Sequence, residues 1–301
     1  MRRFLLCAIY NFAPVYHDFG MASRSQRATA AAETVAICQR GNYVSPSGDT
    51  ISITNDVAEM VAGTRLYRPG ELPFDRAIGS RNLSTTFDVT PETTLAAARR
   101  LVGRFPDSHV AALNFASAKN PGGGFLNGSL AQEESLAVSS GLYPSLITQQ
   151  EYYDANRATH DALYTDHVIF SPRVPVFRDD DLRLMNKPYQ VSMITAPAPN
   201  AGAVDPNMPG RADRIANTLW RRMNIVLNVA IHNNADVLIL GAWGCGVFKN
   251  DVDQVAGMFH ESLGSGGLFH GAFHHICFAV YDRGSDNKTI GPFRTRFGGA
   301  N

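Results

Sequence analysis

A run of roughly 18 apolar residues, enough to span a bilayer, is missing from the sequence, and no membrane association is expected. An excess of one charge is missing too. The 27 Lys and Arg residues balance 27 Asp and Glu, so a broad basic surface for duplex DNA is not expected, and an anionic ligand has to be gripped locally. Cysteine is scarce: Cys7, Cys38, Cys245 and Cys277 lie far apart with no C-x-x-C pair. That argues against a zinc site and a dense disulfide framework, and it favours a reducing cytoplasm. No metal and no cofactor is expected. A secretory signal is not expected either: Arg2 and Arg3 precede a short apolar stretch that Asn11 interrupts, and no small-x-small cleavage site follows. Met21 with its Ala-Ser-Arg-Ser sequel looks like a second start, so residues 1–20 read as a disordered tail or an over-extended start.

What is present fits an ordinary globular chain, with 45% apolar and 18% charged residues. Ala28, Ala31, Ala32, Val35 and Cys38 recur at helical spacing before Gly41, which predicts a helix over residues 23–40. Thr90 followed by Pro91 reads as an N-cap and first-turn proline, leading into Leu95, Ala98, Leu101 and Val102 on one helix face. With a short strand near Ile51 and Ile53, residues 21–105 read as a helical N-terminal extension. Beyond them, apolar runs at 109–115, 191–196, 237–241 and 276–281 are buried-strand candidates. Two amphipathic helices, 211–233 and 251–263, separate the last three. This alternation predicts a three-layer α/β/α fold with a mixed sheet, residues 106–301 forming the catalytic core in one compact unit with the extension. Ligands on such sheets bind in the loops beyond the carboxyl ends of strands.

Two loops at such ends carry the chemistry. The first runs Asn120-Pro121-Gly122-Gly123-Gly124-Phe125, and Gln132-Glu133-Glu134 follows seven residues after Gly124. Three consecutive glycines remove every Cβ, so backbone N–H groups can approach a diphosphate. Leu130, Leu136 and Leu142 suggest a helix from near Ser129, placing both glutamates in its early turns. A plain glycine turn before an acid-rich helix start, where the dipole favours Glu, accounts for these residues equally well. The second loop, Gly241-Ala242-Trp243-Gly244-Cys245-Gly246-Val247-Phe248-Lys249-Asn250-Asp251, opens into a helix whose N-terminus can attract an anion. It matches neither the Walker pattern nor G-x-G-x-x-G. One such loop is weak evidence, whereas two suggest opposite walls of one diphosphate cleft.

The Gly-Gly-Gly and Gln-Glu-Glu motifs at this spacing resemble the signature of poly(ADP-ribose) glycohydrolases of the bacterial type, in the macrodomain superfamily. The resemblance extends through residues 114–120, 241–251 and 93–100 and covers most of 21–300. It implies a macrodomain fold and release of ADP-ribose from poly(ADP-ribose), mainly from chain ends, on poly(ADP-ribosyl)ated proteins in the DNA damage response. Carried over residue by residue, it makes Glu134 the catalytic acid and Glu133 the holder of the ribose hydroxyls. It sets Gly122, Gly123, Gly124, Gln132, Gly244, Cys245, Gly246 and Val247 around the substrate, chiefly its diphosphate. Phe248 would pack on the terminal ribose, Asn120 contact it, and Val280 and Tyr281 lie near the adenine, with Thr289 at that end governing internal cleavage.

Cleaving a ribose–ribose O-glycosidic bond passes through an oxocarbenium-like centre and requires a protonated leaving oxygen. Adjacent glutamates cannot flank the sugar as in two-carboxylate glycosidases, so the diphosphate is expected to stabilise the developing charge. A non-catalytic ADP-ribose reader is the chief rival, and the intact Glu133-Glu134 pair speaks against it. A mono-ADP-ribosyl hydrolase is the second rival; it would keep both loops without needing Gln-Glu-Glu. Other features have plain readings: His270, His274 and His275 as surface and strand residues, and residues 179–181 as a charged loop. Tyr152 and Tyr153 read as packing, Arg99 and Arg100 as solvated helix residues, and Cys245 as a poor nucleophile.

Overall fold

In the computed structural model, residues 22–73, 81–282 and 286–299 are described; the expectation for residues 1–20 falls outside them. Helix α1 (Arg24–Arg40) starts at a capping box, where Ser23 Oγ accepts the Gln26 N–H and Gln26 Oε1 accepts the Ser23 N–H, and Gly41 ends it in the left-handed region. A small hairpin follows, β1 (Asn42–Val44) on β2 (Thr50–Ser52), and then α2 (Thr54–Gly63). Next come β3 (Arg65–Tyr67), β4 (Thr86–Thr90) and α3 (Thr94–Arg104). After β5 (Val110–Phe115), three short helices, α4 (Gln132–Ser139), α5 (Leu142–Leu146) and α6 (Gln150–Ala158), lead to the antiparallel pair β6 (Val168–Arg178) and β7 (Leu184–Ala196). The chain closes with α7 (Arg211–His232), β8 (Val237–Leu240), α8 (Val252–Leu263), β9 (His275–Ala279) and α9 (Gly291–Phe297).

Seven strands among the described residues make one mixed sheet in the order β3-β6-β7-β5-β8-β9-β4. From β7 to β4 neighbours run parallel, while β6 and β3 are antiparallel to theirs. Side chains of β5 and β8 alternate between two cores. Ala111, Leu113, Leu238 and Leu240 join Leu219, Met223 and Phe259 from α7 and α8, while Val110, Ala112, Val237 and Ile239 join Leu95, Ala98 and Leu101 from α3. Burial on both faces is why these strands read as unbroken apolar runs. The expected three-layer α/β/α architecture is therefore present.

Four local expectations need correction. Residues 21–105 are not only helical: they supply β3 and β4, the two edges of the sheet. Thr90 does not cap α3, because it is the last residue of β4, paired with Ala279, and its carbonyl accepts the Val280 N–H. Thr93 caps instead, its hydroxyl accepting the Ala96 N–H. Arg100 is not merely solvated. It bonds Glu92 and Asp88 at 2.8 and 3.2 Å and so ties α3 to the unforeseen strand β4 and the turn after it. The helix expected from Ser129 starts at Gln132, because a 3-10 turn at Phe125–Asn127 and the left-handed Gly128 intervene.

Candidate active site

Beyond Phe115 the chain leaves the sheet and makes the glycine turn, with Gly122 and Gly123 at φ of 68° and 60°. These are left-handed conformations that side chains disfavour. Space is as tight as the backbone: a Cβ on Gly123 would lie 2.4 Å from Glu134 Oε1, and one on Gly124 would lie 2.5 Å from Ser129 Oγ. Gly122 sits beneath the turn against Phe125 and Ala137 and does not line the cavity.

The Gln132-Glu133-Glu134 triplet docks α4 onto this segment one side chain at a time. Gln132 Oε1 accepts the Phe115 N–H at 2.8 Å, while its amide donates to the Leu113 carbonyl and the Thr94 hydroxyl. Both polar atoms of its side chain are thus engaged by protein, so Gln132 holds α4 against the sheet, and it also lines the cavity. Glu133 is 2% exposed, its oxygens accepting the Ser117 N–H at 2.6 Å and the Asn114 amide at 3.2 Å. Burial pushes its carboxyl up to about 8, against the downward pull of those two donors. Glu134, half-buried, accepts the Gly124 N–H at 3.0 Å and faces the cavity.

The glycine turn therefore spends its donors differently from expectation. The Gly123 N–H goes to the Asn120 carbonyl and that of Gly124 to Glu134, so the turn seats carboxyls. The opposite wall holds the free donors. After β8, Gly244 at φ 73° packs so closely that a Cβ would lie 2.4 Å from that of Ala198. Asn250, whose amide donates to the Pro199 and Gly244 carbonyls, closes this turn. Gly246, Val247 and Phe248 have three successive N–H groups with no protein acceptor among the described residues, donors available to an anion in the cleft that these residues line. The N-terminus of α8 does not contribute as expected, because the Asp251 carboxylate already caps it by accepting the Gln254 N–H.

One cleft of about 1150 Å³ unites these parts. It is lined by Asn120, Glu133 and Glu134, by 244–248, and by Val280, Tyr281 and Thr289. Val247 is 79% exposed at the loop tip, and the Phe248 ring lies 6.0 Å from that of Tyr164. The Thr289 N–H is held by Asp282 at 2.9 Å. Of the loop between them, 283–285 lie outside the described residues. The Cys245 thiol, pushed up to about 12 by burial, bonds the Trp243 carbonyl and is no nucleophile at neutral pH. Both Tyr152 and Tyr153 are packed out of solvent, and residues 179–181 form the turn between β6 and β7.

Sequence reasoning missed several parts of the site. Asn114 and Ser117 hold Glu133, and Tyr164 joins the wall. Behind that wall, fully buried Arg222 pairs with Asp166 at 3.0 Å and donates to the carbonyls of Pro197, Leu163 and Tyr164. Asn114 and Ser117 fell within the resembling stretch 114–120 but were given no role, whereas Tyr164, Asp166 and Arg222 come from distant elements and had no local signal.

The architecture has close counterparts among solved structures. Poly(ADP-ribose) glycohydrolase from Thermomonospora curvata, bound to the inhibitor ADP-HPD, is 48% identical with a TM-score of 0.84, over 91% of this chain and 100% of that one. The enzyme of the same name from Deinococcus radiodurans, in complex with ADP-ribose, is 48% identical with a TM-score of 0.73, over 80% and 96% of the two chains. A search of curated proteins gave no match. A family model described as microbial-type PARG, catalytic domain, matches residues 31–179. The identity over nearly the full length of both solved enzymes, with the glycine turn, the seated glutamates and the shared fold, makes this chain a member of the microbial-type poly(ADP-ribose) glycohydrolases.

Proposed function

We propose that the chain releases ADP-ribose from poly(ADP-ribose), mainly from chain ends, with Glu134 as acid and then base. The observation that carries this is the position of Glu134: first turn of α4, one oxygen on the Gly124 N–H, half-exposed where the two glycine-bearing loops meet. A diphosphate on the N–H groups of 246–248, which line the same cleft as Glu134, would offset positive charge growing on the ribose. Phe248, braced by Tyr164, supplies a flat apolar surface for that ribose. Val280, Tyr281 and Thr289 receive the adenine. Glu134 donates its proton to the leaving ribose oxygen as the bond to C1 of the terminal ribose breaks. Water then attacks that carbon, and Glu134 takes the water's proton. Glu133, held neutral at pH 7 by burial, adds no second negative charge beside the diphosphate and hydrogen-bonds the ribose hydroxyls.

Automodified polymerase incubated with wild type and Glu134→Gln tests this. Wild type is expected to release ADP-ribose and the variant to lose at least about a hundredfold in rate. Binding without cleavage by wild type would make the chain a reader, and equal cleavage by both would remove Glu134 from the acid role. Failure on polymer with release from mono-ADP-ribosylated side chains would favour the second rival.

In this reading the chain works on poly(ADP-ribosyl)ated proteins in the cytoplasm, on polymer made in the DNA damage response, without binding duplex DNA. The balanced charge and sparse cysteines support it, and among the described residues no helix is long and apolar enough to cross a membrane. Cell fractionation before and after DNA damage checks the location. Residues 21–105 and 106–301 act as one unit, since β3 and β4 pair into the same sheet and a chain starting at 106 would leave β6 and β9 as bare edges.

A further inference from the structure

We propose that the cleft continues past Glu134 into a second lobe that holds the leaving unit of the polymer, with Arg27 gripping its diphosphate and Leu130 packing on its adenine. The proposal rests on the assignment of Glu134 as the acid. Size is the first observation. Clefts for one small ligand run to about 300–1,000 Å³, whereas this one reaches about 1150 Å³. Its lining also includes residues that the ribose, diphosphate and adenine of the terminal unit leave unused: Arg27, Ser129, Leu130, Ser135 and Asp180. Ser129 stands beside Glu134. The Ser129 N–H bonds the Gly124 carbonyl, the Gly124 N–H bonds Glu134, and the Ser129 hydroxyl lies just across Gly124 from that carboxylate.

Charge is the second observation. Arg27 docks α1 on the loop through Nε to the Gly128 carbonyl at 2.8 Å and through Nη1 to the Ala22 carbonyl. Among the described residues it has no carboxylate partner, whereas Arg183, the other arginine of the lining, pairs with Asp179 and Asp181. The first turn of α1 holds no acid, so the cation of Arg27 at this end opposes the helix dipole. Those two carbonyl bonds use two of the five guanidinium N–H donors, so three remain for a ligand anion.

The reaction supplies a partner for both features. When Glu134 protonates the leaving oxygen, that oxygen belongs to the adenosine ribose of the next unit, which carries an adenine and a diphosphate of its own. The departing group is therefore an anion with a flat base, tethered at Glu134. Leu130, 42% exposed on the loop beside Ser129, offers an apolar surface for the base. Asp180 and Asp181 also line the cleft and would repel an anion placed beside them, which leaves Arg27 as the site for the diphosphate.

The test compares two substrates: poly(ADP-ribose) of defined length, and ADP-ribose carrying a small neutral aryl ether at C1 of the terminal ribose, which has no leaving diphosphate. Arg27→Gln keeps a donor for the Gly128 carbonyl and removes the charge. It is expected to raise KM for polymer about tenfold with little change in kcat, the loss of one charge-assisted contact, and to leave kcat/KM for the aryl ether unchanged. Leu130→Ser, at an exposed site that cannot unfold the core, is expected to raise KM for polymer about threefold and not that for the ether. Equal losses on both substrates, or an unchanged KM for polymer in both variants, would overturn the proposal. Wild type cleaving neither substrate would instead remove the Glu134 reading on which it stands.

Discussion

Glu133 makes stability depend on pH in a direction opposite to that of an ordinary surface carboxylate. In the unfolded chain its carboxyl loses its proton near 4.5, whereas in the folded chain burial holds the proton to about 8. Between those values the folded state binds more protons than the unfolded state, so unfolding free energy falls as pH rises through the window and levels off above it. At 1.36 kcal/mol per pH unit the full span corresponds to about 5 kcal/mol, and relaxation with water penetration should leave on the order of 2–4 kcal/mol. Glu133→Gln removes the titration. At pH 5 the variant should be less stable by about 1 kcal/mol, because its amide cannot accept from both the Ser117 N–H and the Asn114 amide. At pH 9 wild type carries a buried charge and the variant does not, so the variant should be the more stable of the two. Urea denaturation at pH 5, 6.5, 8 and 9 gives the difference curve, which also cancels contributions from every other group. Curves that stay parallel across this range would refute the burial argument.

Gly123→Ala combines a left-handed backbone with a Cβ 2.4 Å from Glu134 Oε1, so kcat should fall on the order of 10- to 100-fold with the fold intact by circular dichroism; an unchanged kcat would mean that Glu134 needs no fixed seat. Arg222→Met takes the donor from three carbonyls and leaves Asp166 to Arg221 alone and should cost about 3–5 kcal/mol in urea denaturation, at about 1–3 kcal/mol for each buried acceptor left unpaired, whereas a loss below about 1 kcal/mol would show that water reaches those carbonyls. Thr289→Arg at the adenine end should suppress internal cleavage more than terminal cleavage, read from product lengths on a sequencing gel; equal loss or no change in either would sink that role for Thr289.

Much of the fold was legible because its signals are local. Ser23 and Gly41 bracket α1 within a few residues, and β5 and β8 announce themselves by apolar runs. The edges were not legible. Strand β3 is three residues long, and β4 carries no buried side chain, so neither shows a period. Without β4 in view, Thr90 looked free to cap a helix and Arg100 looked free to face water. The site divides in the same way. Glycine at 122–124 and 244–246 marks unusual backbone by itself, but which donors remain for a ligand depends on carbonyls and carboxyls elsewhere. That is why the first loop turned out to seat glutamates and the second to keep open N–H groups.

The same accounting changes what the Gln-Glu-Glu triplet means. Each of its side chains bonds a backbone N–H on the segment leaving β5: Gln132 to Phe115, Glu133 to Ser117, Glu134 to Gly124. A module that only binds ADP-ribose would need Gln132 and Glu133 to hold α4 against the sheet, so their presence does not distinguish an enzyme from a reader. Glu134 is different. Its single bond to Gly124 contributes little to a fold already fixed by its two neighbours, and of the two carboxylates that line the cleft it is the less buried. The distinction between cleaving and reading therefore rests on where Glu134 points and on the two glycines that leave room for it.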